Sequence, residues 1–351
     1  MRDNVAKPFQ GIELDIKQFA AHLKLSVSTV SKAINGRSDV SKATRERVLQ
    51  AAAKLGFSPD PAGRRLRRQA SDTIGFVISA PQAQFAHPFF LNMLAGIEDA
   101  LEGTHFQVII ASGRTVETEI DVFKRLVEKQ RVDALLFGRT RRNDARIEYL
   151  LERDIPFVAY GRSDSSQAFP YVDIDPTVTG RDGCGRFIAL GHRRIALVHS
   201  PEFLMFSHFQ RLGYEEALRA AGIAFDPDLC AEEAMTEEGG QRAARKMLAL
   251  PNPPTAFVCG QDMMAVGVMR AIAEAGKIPG QDVGVIGSDD HPVGRLVSPA
   301  LTTFSAETSR VGKRMVELLL ARLEGADPAT LQEVWTPELI LRSSDGPPKT
   351  R

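Results

Sequence analysis

The stretch SVSTVSKAING, Ser26 to Gly36, decides the first part of the fold. The Ser26 hydroxyl suits an N-cap, because a side-chain oxygen there accepts an orphan N–H of the first helical turn. Val27 to Ile34 then puts Val30, Ala33 and Ile34 on one helical face, and Asn35-Gly36 supplies a stop. Upstream, Asp15 is placed to cap a short helix with Ile16, Phe19, Ala20 and Leu23 inward, and Lys24-Leu25 leaves only a tight break. Downstream, Ser41 caps a longer helix to Leu55 whose inward stripe reads Val48, Leu49, Ala52 and Leu55, followed by Gly56. Two short helices joined by a tight turn and braced by a third make a helix-turn-helix. Val27, Ser28, Thr29, Ser31 and Lys32 face outward from the second helix, with Asn35 at its end. Small hydroxylated side chains let a helix sink into a major groove, and Lys reaches guanine acceptors there. An ordinary three-helix bundle with a polar face has the same local pattern.

Beyond the third helix, Ser58-Pro59-Asp60-Pro61 is a breaker, and AGRRLRR, Ala62 to Arg68, has room for one or two helical turns. So short a helix is unstable alone, and Gly63 weakens it further. Phosphate neutralisation by arginines such as Arg64 would supply the missing free energy, with Leu66 as a wedge between minor-groove base steps. A plain basic linker is the alternative. Charge separates this head from the rest: residues 1–70 hold 14 Lys+Arg against 6 Asp+Glu, leaving 30 against 38 in the remainder of a chain with net charge zero. A phosphate-binding module joined to an unrelated acidic domain has that distribution.

The length of 351 residues suits one small module and one large one. No apolar run reaches the roughly 18–20 residues of a membrane helix. The opening MRDNVAKPFQGIELD lacks the apolar core of a secretory signal, and Cys184, Cys230 and Cys259 are an odd, widely spaced set. A cytoplasmic protein without disulfides, metal or membrane is the expectation.

From Thr73 onward, apolar runs alternate with amphipathic stretches. Strands are expected over Thr73–Ser79, Phe106–Ser112, Asp133–Gly138, Pro156–Gly161, Arg194–Ser200, Ala256–Gly260 and Val283–Gly287. Helices are expected over Leu91–Leu101, Glu117–Lys129, Gly213–Ala221, Gly239–Ala249 and Asp262–Glu274. Such alternation implies parallel sheets covered by helices, and its extent implies two α/β subdomains with a ligand cleft between their strand carboxyl ends. Residues near strand ends are the candidate lining: His87, Phe89 and Phe90 for stacking, Arg162, Gln261 and Asp289 for hydrogen bonds. The bland readings are core aromatics and, for Asp262 and Asp290, helix caps. Catalysis finds no support: TIGFVISAPQAQF lacks G-x-G-x-x-G, and no phosphate loop, H-E-x-x-H or G-x-S-x-G occurs. No cofactor is expected, and His192 is read as structural or ligand-contacting.

SVSTVSKAING, DVSKATRERVLQAAAKLGFSPDP and RRLRRQASDTIGFV resemble the lactose-repressor (LacI/GalR) family of bacterial transcription regulators. The resemblance continues through VDIDPTVTGRDGCGRFIALGHRRIALV, TAFVCGQDMMAVGVMRAIAEAG, DVGVIGSDDHP and SPALTTF, and AHPFFLNMLAGIEDAL is similar to members that repress α-glucoside uptake genes. It implies an N-terminal all-α helix-turn-helix headpiece plus a periplasmic-binding-protein-like effector domain of two parallel-sheet α/β subdomains. The implied boundaries are 1–57 for the headpiece, 58–72 for a hinge helix and 73–345 for the effector domain. Within the latter, one subdomain takes about 73–172 and 304–333, the other about 173–303 and 334–345. By the same resemblance Val27, Ser28 and Lys32 read bases, Leu66 wedges into the minor groove, and Gln261 and Asp289 bond ligand hydroxyls. The partners are then a palindromic double-stranded DNA operator, a small effector and a second copy of the chain in a homodimer.

Four departures stand out. Lys24 replaces a usual turn Gly, Gly63 a usual hinge Ala, and Ser288 an aromatic; in QRLGY, Gln210 stands where the family carries an Arg that contacts ligand. Gln210 can donate and accept but cannot pair with a carboxylate or phosphate as Arg would, which favours a neutral sugar or glycoside as effector. A purine or phosphorylated metabolite is the alternative effector. An exported sugar-binding protein would share the large domain without the basic head. The short Gly- and Pro-containing tail from Ser343 has no leucine heptads, so C-terminal tetramerisation is not expected.

Overall fold

The computed structural model describes residues 16–34, 40–55, 57, 71–79, 88–113 and 116–348. The chain divides into two compact units, Met1–Ser71 and Asp72–Arg351.

In the first unit, α1 (Ile16–His22), α2 (Val27–Ile34) and α3 (Lys42–Leu55) enclose a small core of Phe19, Ala20, Leu23, Val30, Ala33, Val48 and Phe57. Both serine caps form: the Thr29 N–H donates to Ser26 Oγ at 3.0 Å and the Thr44 N–H to Ser41 Oγ at 3.2 Å. Lys24 turns the chain with φ +52°, in the left-handed region, and Leu25 N–H closes the turn on Ala20 O at 3.0 Å. The expected inward stripe of α3 is corrected at two places. Leu49 and Leu55 are 47% and 38% exposed. Phe57, just past the helix, supplies the missing apolar surface by stacking on Phe19 with ring centroids 3.9 Å apart. Arg47 Nη2 donates to Leu23 O at 2.5 Å, so α3 also caps the end of α1. Asp15, Asn35, Gly63 and the hinge helix expected around Arg64 and Leu66 lie outside the described residues.

The second unit has two lobes. The first holds a six-stranded parallel sheet of β1 (Thr73–Ser79), β2 (Gln107–Gly113), β3 (Ala134–Phe137), β4 (Phe157–Tyr160), β5 (Tyr171–Ile174) and β11 (Gln332–Trp335), in the order β11-β5-β4-β3-β1-β2. Strand alternation fills two cores. Ile74, Phe76 and Leu136 pack with Met93 and Ile97 of α4 (Pro88–Leu101) and Val311 and Met315 of α12 (Thr308–Leu323). Val77, Leu135 and Phe137 pack with Phe123 of α5 (Val116–Glu128) and Ile147 of α6 (Ala145–Glu152).

The second lobe holds a parallel sheet of β6 (Ile195–His199), β7 (Cys230–Glu232), β8 (Ala256–Cys259) and β9 (Gly284–Ile286), in the order β7-β6-β8-β9. It lies between α7 (Pro176–Ala189) with α8 (Met205–Ala220) and α9 (Glu237–Leu248) with α10 (Asp262–Glu274). Gly180 and Gly213 let α7 and α8 cross closely, since a Cβ on either would come within about 2 Å of the other helix's backbone. A two-stranded antiparallel ribbon, β10 (Thr303–Phe304) with β12 (Leu339–Ile340), adjoins the crossings between lobes, and α11 (Val293–Leu296) precedes it.

Every expected strand window contains a strand, with ends shifted by a residue or two. The short β5, β7, β10, β11 and β12, and helices α6, α7, α11 and α12, lie outside the expected windows. Two helix starts are corrected. α4 begins at Pro88, which puts Phe89 and Phe90 in its first turn, and α8 begins at Met205, which puts Gln210 within the helix. The expected lobe boundaries at 172/173 and 333/334 cut through β5 and β11; ladder pairing carries the first lobe to Ile174 and Trp335.

Candidate functional site

On α2, Val30 and Ala33 are buried, while Val27, Ser28 and Lys32 are exposed and Thr29 and Ser31 partly so. The Thr29 hydroxyl lies 2.8 Å from Ser26 Oγ and so belongs to the cap, which leaves Val27, Ser28 and Lys32 as the outermost side chains of that face. The residues that seat the helix and those left for a groove therefore separate cleanly along it.

In the second unit a cavity of about 390 Å³ lies between the lobes, at the carboxyl ends of both sheets. Phe89, Phe90 and Met93 of α4 line one side with Tyr160 at the end of β4. Phe89 stands 5.6 Å from Tyr160 and 5.5 Å from Phe90, ring centre to ring centre, giving a continuous aromatic wall. Opposite it, the second lobe contributes Phe206 and Gln210 of α8, Gly260-Gln261 after β8 and Ser288-Asp289 after β9. Four crossing residues, Ile174, Pro176, Ser305 and Ala306, also line it, as do Arg139 after β3 and Asp173 of β5.

The polar groups of this lining differ in what holds them. Gln210, 5% exposed, donates through Nε2 to Gly260 O at 3.1 Å, and its Oε1 is buried with no partner among the described residues. Gln261 occupies the N-cap of α10 without a side-chain cap bond. Asp289 has φ +100° and donates its N–H to Phe304 O at 2.9 Å; burial pushes its carboxyl up to about 8. Burial likewise pushes Asp173 up to about 7, against the pull of Arg162. The Tyr160 hydroxyl is raised by burial and then by the fields of Asp173 and Asp289.

Of the sequence candidates, Phe89, Phe90, Gln210, Gln261 and Asp289 come together on the cavity wall. Arg162 does not line it. Its Nε donates to Asp173 at 2.7 Å and its Nη2 to Asp175 at 2.8 Å, with the guanidinium 4.1 Å from the Phe209 ring centre. His87 lies outside the described residues. Asp262 is fully buried, accepting from Thr303 Oγ1 at 2.6 Å and the His291 N–H at 2.7 Å, so it braces the Ser288-Asp289 loop from behind. Asp290 pairs with Arg342 at 2.5 Å and Arg295 at 2.7 Å. His192 is buried between Thr255 and Gly346 O, at 2.9 and 3.0 Å. Tyr160, Phe206, Asp173 and Arg139 line the cavity without having been singled out in the sequence, although the first, third and fourth sit at strand ends where the search was directed.

Hydroxyl-bonding groups on both lobes, with an aromatic wall on the first, suit a ring-shaped polyhydroxylated ligand.

Residues 15–60 match the family described as bacterial regulatory proteins, lacI family, and residues 184–344 the periplasmic binding protein-like domain. The chain is 37% identical over 345 residues to the HTH-type transcriptional regulator AglR of Rhizobium meliloti (strain 1021), covering 96% of each. It is 32% identical to the HTH-type transcriptional repressor CytR of Escherichia coli (strain K12), over 94% of this chain and 95% of the relative. Among solved structures, it is similar to a complex of the transcriptional regulator CelR with cellobiose, with TM-score 0.73, 32% identity and coverage of 94% and 99%. It is also similar to a lac repressor dimer bound to operator and the anti-inducer ONPF, with TM-score 0.77, 25% identity and coverage of 95% and 99%.

Proposed function

We propose, on the premise that the chain belongs to the lacI family of bacterial regulatory proteins and is thus a DNA-binding transcription regulator rather than an enzyme, that a neutral sugar or glycoside in the lobe-to-lobe cavity controls its operator affinity. The observation that carries this reading is Gln210. A carboxamide oxygen buried with no partner among the described residues, beside Gln261 and Asp289 and opposite an aromatic wall, is costly unless a ligand hydroxyl satisfies it. The solved CelR–cellobiose complex supports the effector class.

On this reading residues 1–57 are the headpiece, 58–72 the hinge and 73–345 the effector domain. Val27, Ser28 and Lys32 read bases, with Thr29, Ser31 and Asn35 at the groove; Arg64 neutralises phosphate, and Leu66 wedges into the minor groove. Two copies on a palindrome place two such wedges, as two-fold symmetry requires. Ligand binding shifts the population of lobe arrangements, which changes hinge spacing and operator affinity. On this reading the chain works in the cytoplasm, beside the DNA that it regulates. Among the described residues, no helix is long and apolar enough to cross a membrane.

Fluorescence anisotropy of a labelled fragment from the gene's own upstream region tests this, titrated with protein and then with neutral sugars, glycosides, purines and sugar phosphates. A change in operator affinity with one neutral sugar is the expected result. Tight, specific binding that only a purine or a phosphorylated compound alters overturns the effector class.

A further inference from the structure

The loop after β3 and the first turn of α6 carry four arginines close in sequence, Arg139, Arg141, Arg142 and Arg146, and three of them hold carboxylates. Arg146, fully buried, bonds Asp144 at 2.8 and 2.6 Å and also pairs with Glu119. Arg141 pairs with Glu119 and Arg142 with Asp164 at 3.1 Å. Arg139 is different. It lines the cavity, is partly buried, and makes no hydrogen bond or ion pair through its side chain among the described residues. A guanidinium stays charged at any physiological pH, so keeping one half-desolvated and unpartnered weakens the folded state. Burial lowers its pKa to about 10, with only the charge of Glu119 opposing.

The backbone around Arg139 is held more firmly than its side chain. Its φ is +52°, a left-handed conformation that a non-glycine residue keeps only when its surroundings impose it. Arg146 Nη2 donates to Arg139 O at 2.9 Å and Nη1 to Gly138 O at 3.3 Å, and the Asp144–Glu119 cluster fixes Arg146 in turn. On the far side, the Met205 N–H donates to Thr140 O at 2.9 Å and the Arg142 N–H to Phe203 O at 3.1 Å. The segment is thus anchored in the first lobe and strapped to the start of α8 in the second.

We propose that Arg139 is a specificity-determining residue of the cavity, whose guanidinium reads a pair of adjacent oxygens on the effector and supplies from the first lobe what Gln210 does not supply from the second. This rests on the reading of the cavity as an effector site. The planar fork of a guanidinium matches two neighbouring oxygens, whether vicinal hydroxyls of a glycoside or an anionic group. Asp173, the lining carboxylate of the same lobe, is engaged by Arg162, which leaves the ligand to provide those oxygens.

The test uses the full chain with Arg139→Met and Arg139→Lys, read by thermal melting and by intrinsic fluorescence. The chain's one tryptophan, Trp335, pairs in the β5–β11 ladder with the cavity residue Ile174 and so reports on the cavity edge. Probes are cellobiose, maltose and sucrose, with glucuronate and glucose 6-phosphate as anionic arms. R139M is expected to melt at or above the wild-type temperature without ligand, to keep operator binding, and to lose roughly 10–100-fold in affinity for the wild type's sugar. R139K, with charge but no fork, is expected to fall between. A wild type that responds to none of the probes overturns both the effector reading and the role of Arg139. A wild type that responds, beside an R139M that binds as tightly, overturns the role of Arg139 alone. An R139M that melts several degrees lower without ligand makes the residue structural and also overturns it. An anionic probe preferred by the wild type and lost in R139M sustains the role of Arg139 while overturning the neutral effector class.

Discussion

Arg162→Met asks whether that guanidinium is a scaffold or a ligand contact. Arg162 makes two charge-assisted hydrogen bonds, to Asp173 and Asp175, and each such bond contributes about 1.5–3 kcal/mol net. Removing one partner of a buried pair costs about 3–5 kcal/mol when the remaining charge is stranded. Asp173 has an escape. It is 4% exposed and already raised to about 7 with Arg162 present, so without the arginine it takes up a proton. Near pH 6 the carboxyl is mostly neutral in both proteins, and the deficit should be about 2 kcal/mol. For an acid raised on folding, stability falls as pH climbs from the unfolded value near 4 to the folded value. In the wild type that decline ends near 7; in the variant, whose folded value lies higher, it continues. The gap should therefore widen by up to ~1.4 kcal/mol per pH unit above 7. Melting temperatures at pH 6, 7 and 8.5 read this directly, with roughly 2–4 °C per kcal/mol. A gap constant with pH refutes the coupling between Arg162 and Asp173. Wild-type melting combined with lost ligand binding would make Arg162 a ligand contact instead.

Phe57→Ala removes the stack on Phe19 and opens a hole in a seven-residue core, a loss of about 3–5 kcal/mol; operator binding should vanish in anisotropy while ligand still quenches or shifts Trp335 emission. Lys24→Gly relieves a left-handed lysine and should slow hydrogen exchange across residues 16–34 by stabilising the headpiece by about 1 kcal/mol, with operator affinity unchanged or higher. Leu66→Ala should weaken specific operator binding more than non-specific binding and leave ligand affinity alone; equal loss on both DNAs would reduce the hinge to an electrostatic linker. Ligand hydroxyls that donate to the Asp289 carboxylate must pull its pKa down from about 8, so affinity should rise with pH between 6 and 8 and protons should be released, as calorimetry in two buffers of different ionisation enthalpy will show.

The headpiece was legible because its signals are local. A serine before each of α2 and α3 accepts an N–H three residues on, and the apolar spacing between caps leaves little freedom. Leu49 and Leu55 were misassigned because helical periodicity marks a face without saying how wide the opposing core is. With two short helices to cover, that place goes to Phe57, whose stack on Phe19 spans thirty-eight positions of sequence. The strands that went unread are two to four residues long and lack the unbroken apolar runs that mark the equally short β3, β4 and β8, and β11 joins β5 from far down the chain. At the cavity, Gln261 and Asp289 were found because strand ends are where parallel sheets present side chains. Arg162 and Arg139 show the limit of that rule. Both follow strands, and nothing local distinguishes a guanidinium already bound to carboxylates eleven and thirteen residues away from one without a side-chain partner among the described residues.

The placement of the cavity bears on how a ligand would act at a distance. Ile174, Pro176, Ser305 and Ala306 line it, and they belong to segments that pass between the lobes. These crossings are tied together: the Asp175 N–H donates to Trp335 O at 2.8 Å and the Ser305 N–H to Glu338 O at 2.9 Å. A ligand there touches the hinge of the effector domain as well as both walls. It changes lobe geometry only by its difference in affinity between arrangements, and a hundredfold change in operator affinity needs about 2.7 kcal/mol of such difference. Two or three hydrogen bonds of about 1 kcal/mol each suffice, provided they form only when both walls are in reach. Gln210 and Asp289 lie on one wall, and Arg139 with the Phe89–Tyr160 surface on the other. A sugar held by one wall alone satisfies its own hydroxyls equally well in either arrangement and shifts nothing. Selectivity for the ligand and transmission to DNA thus depend on the same property, simultaneous contact across the cleft.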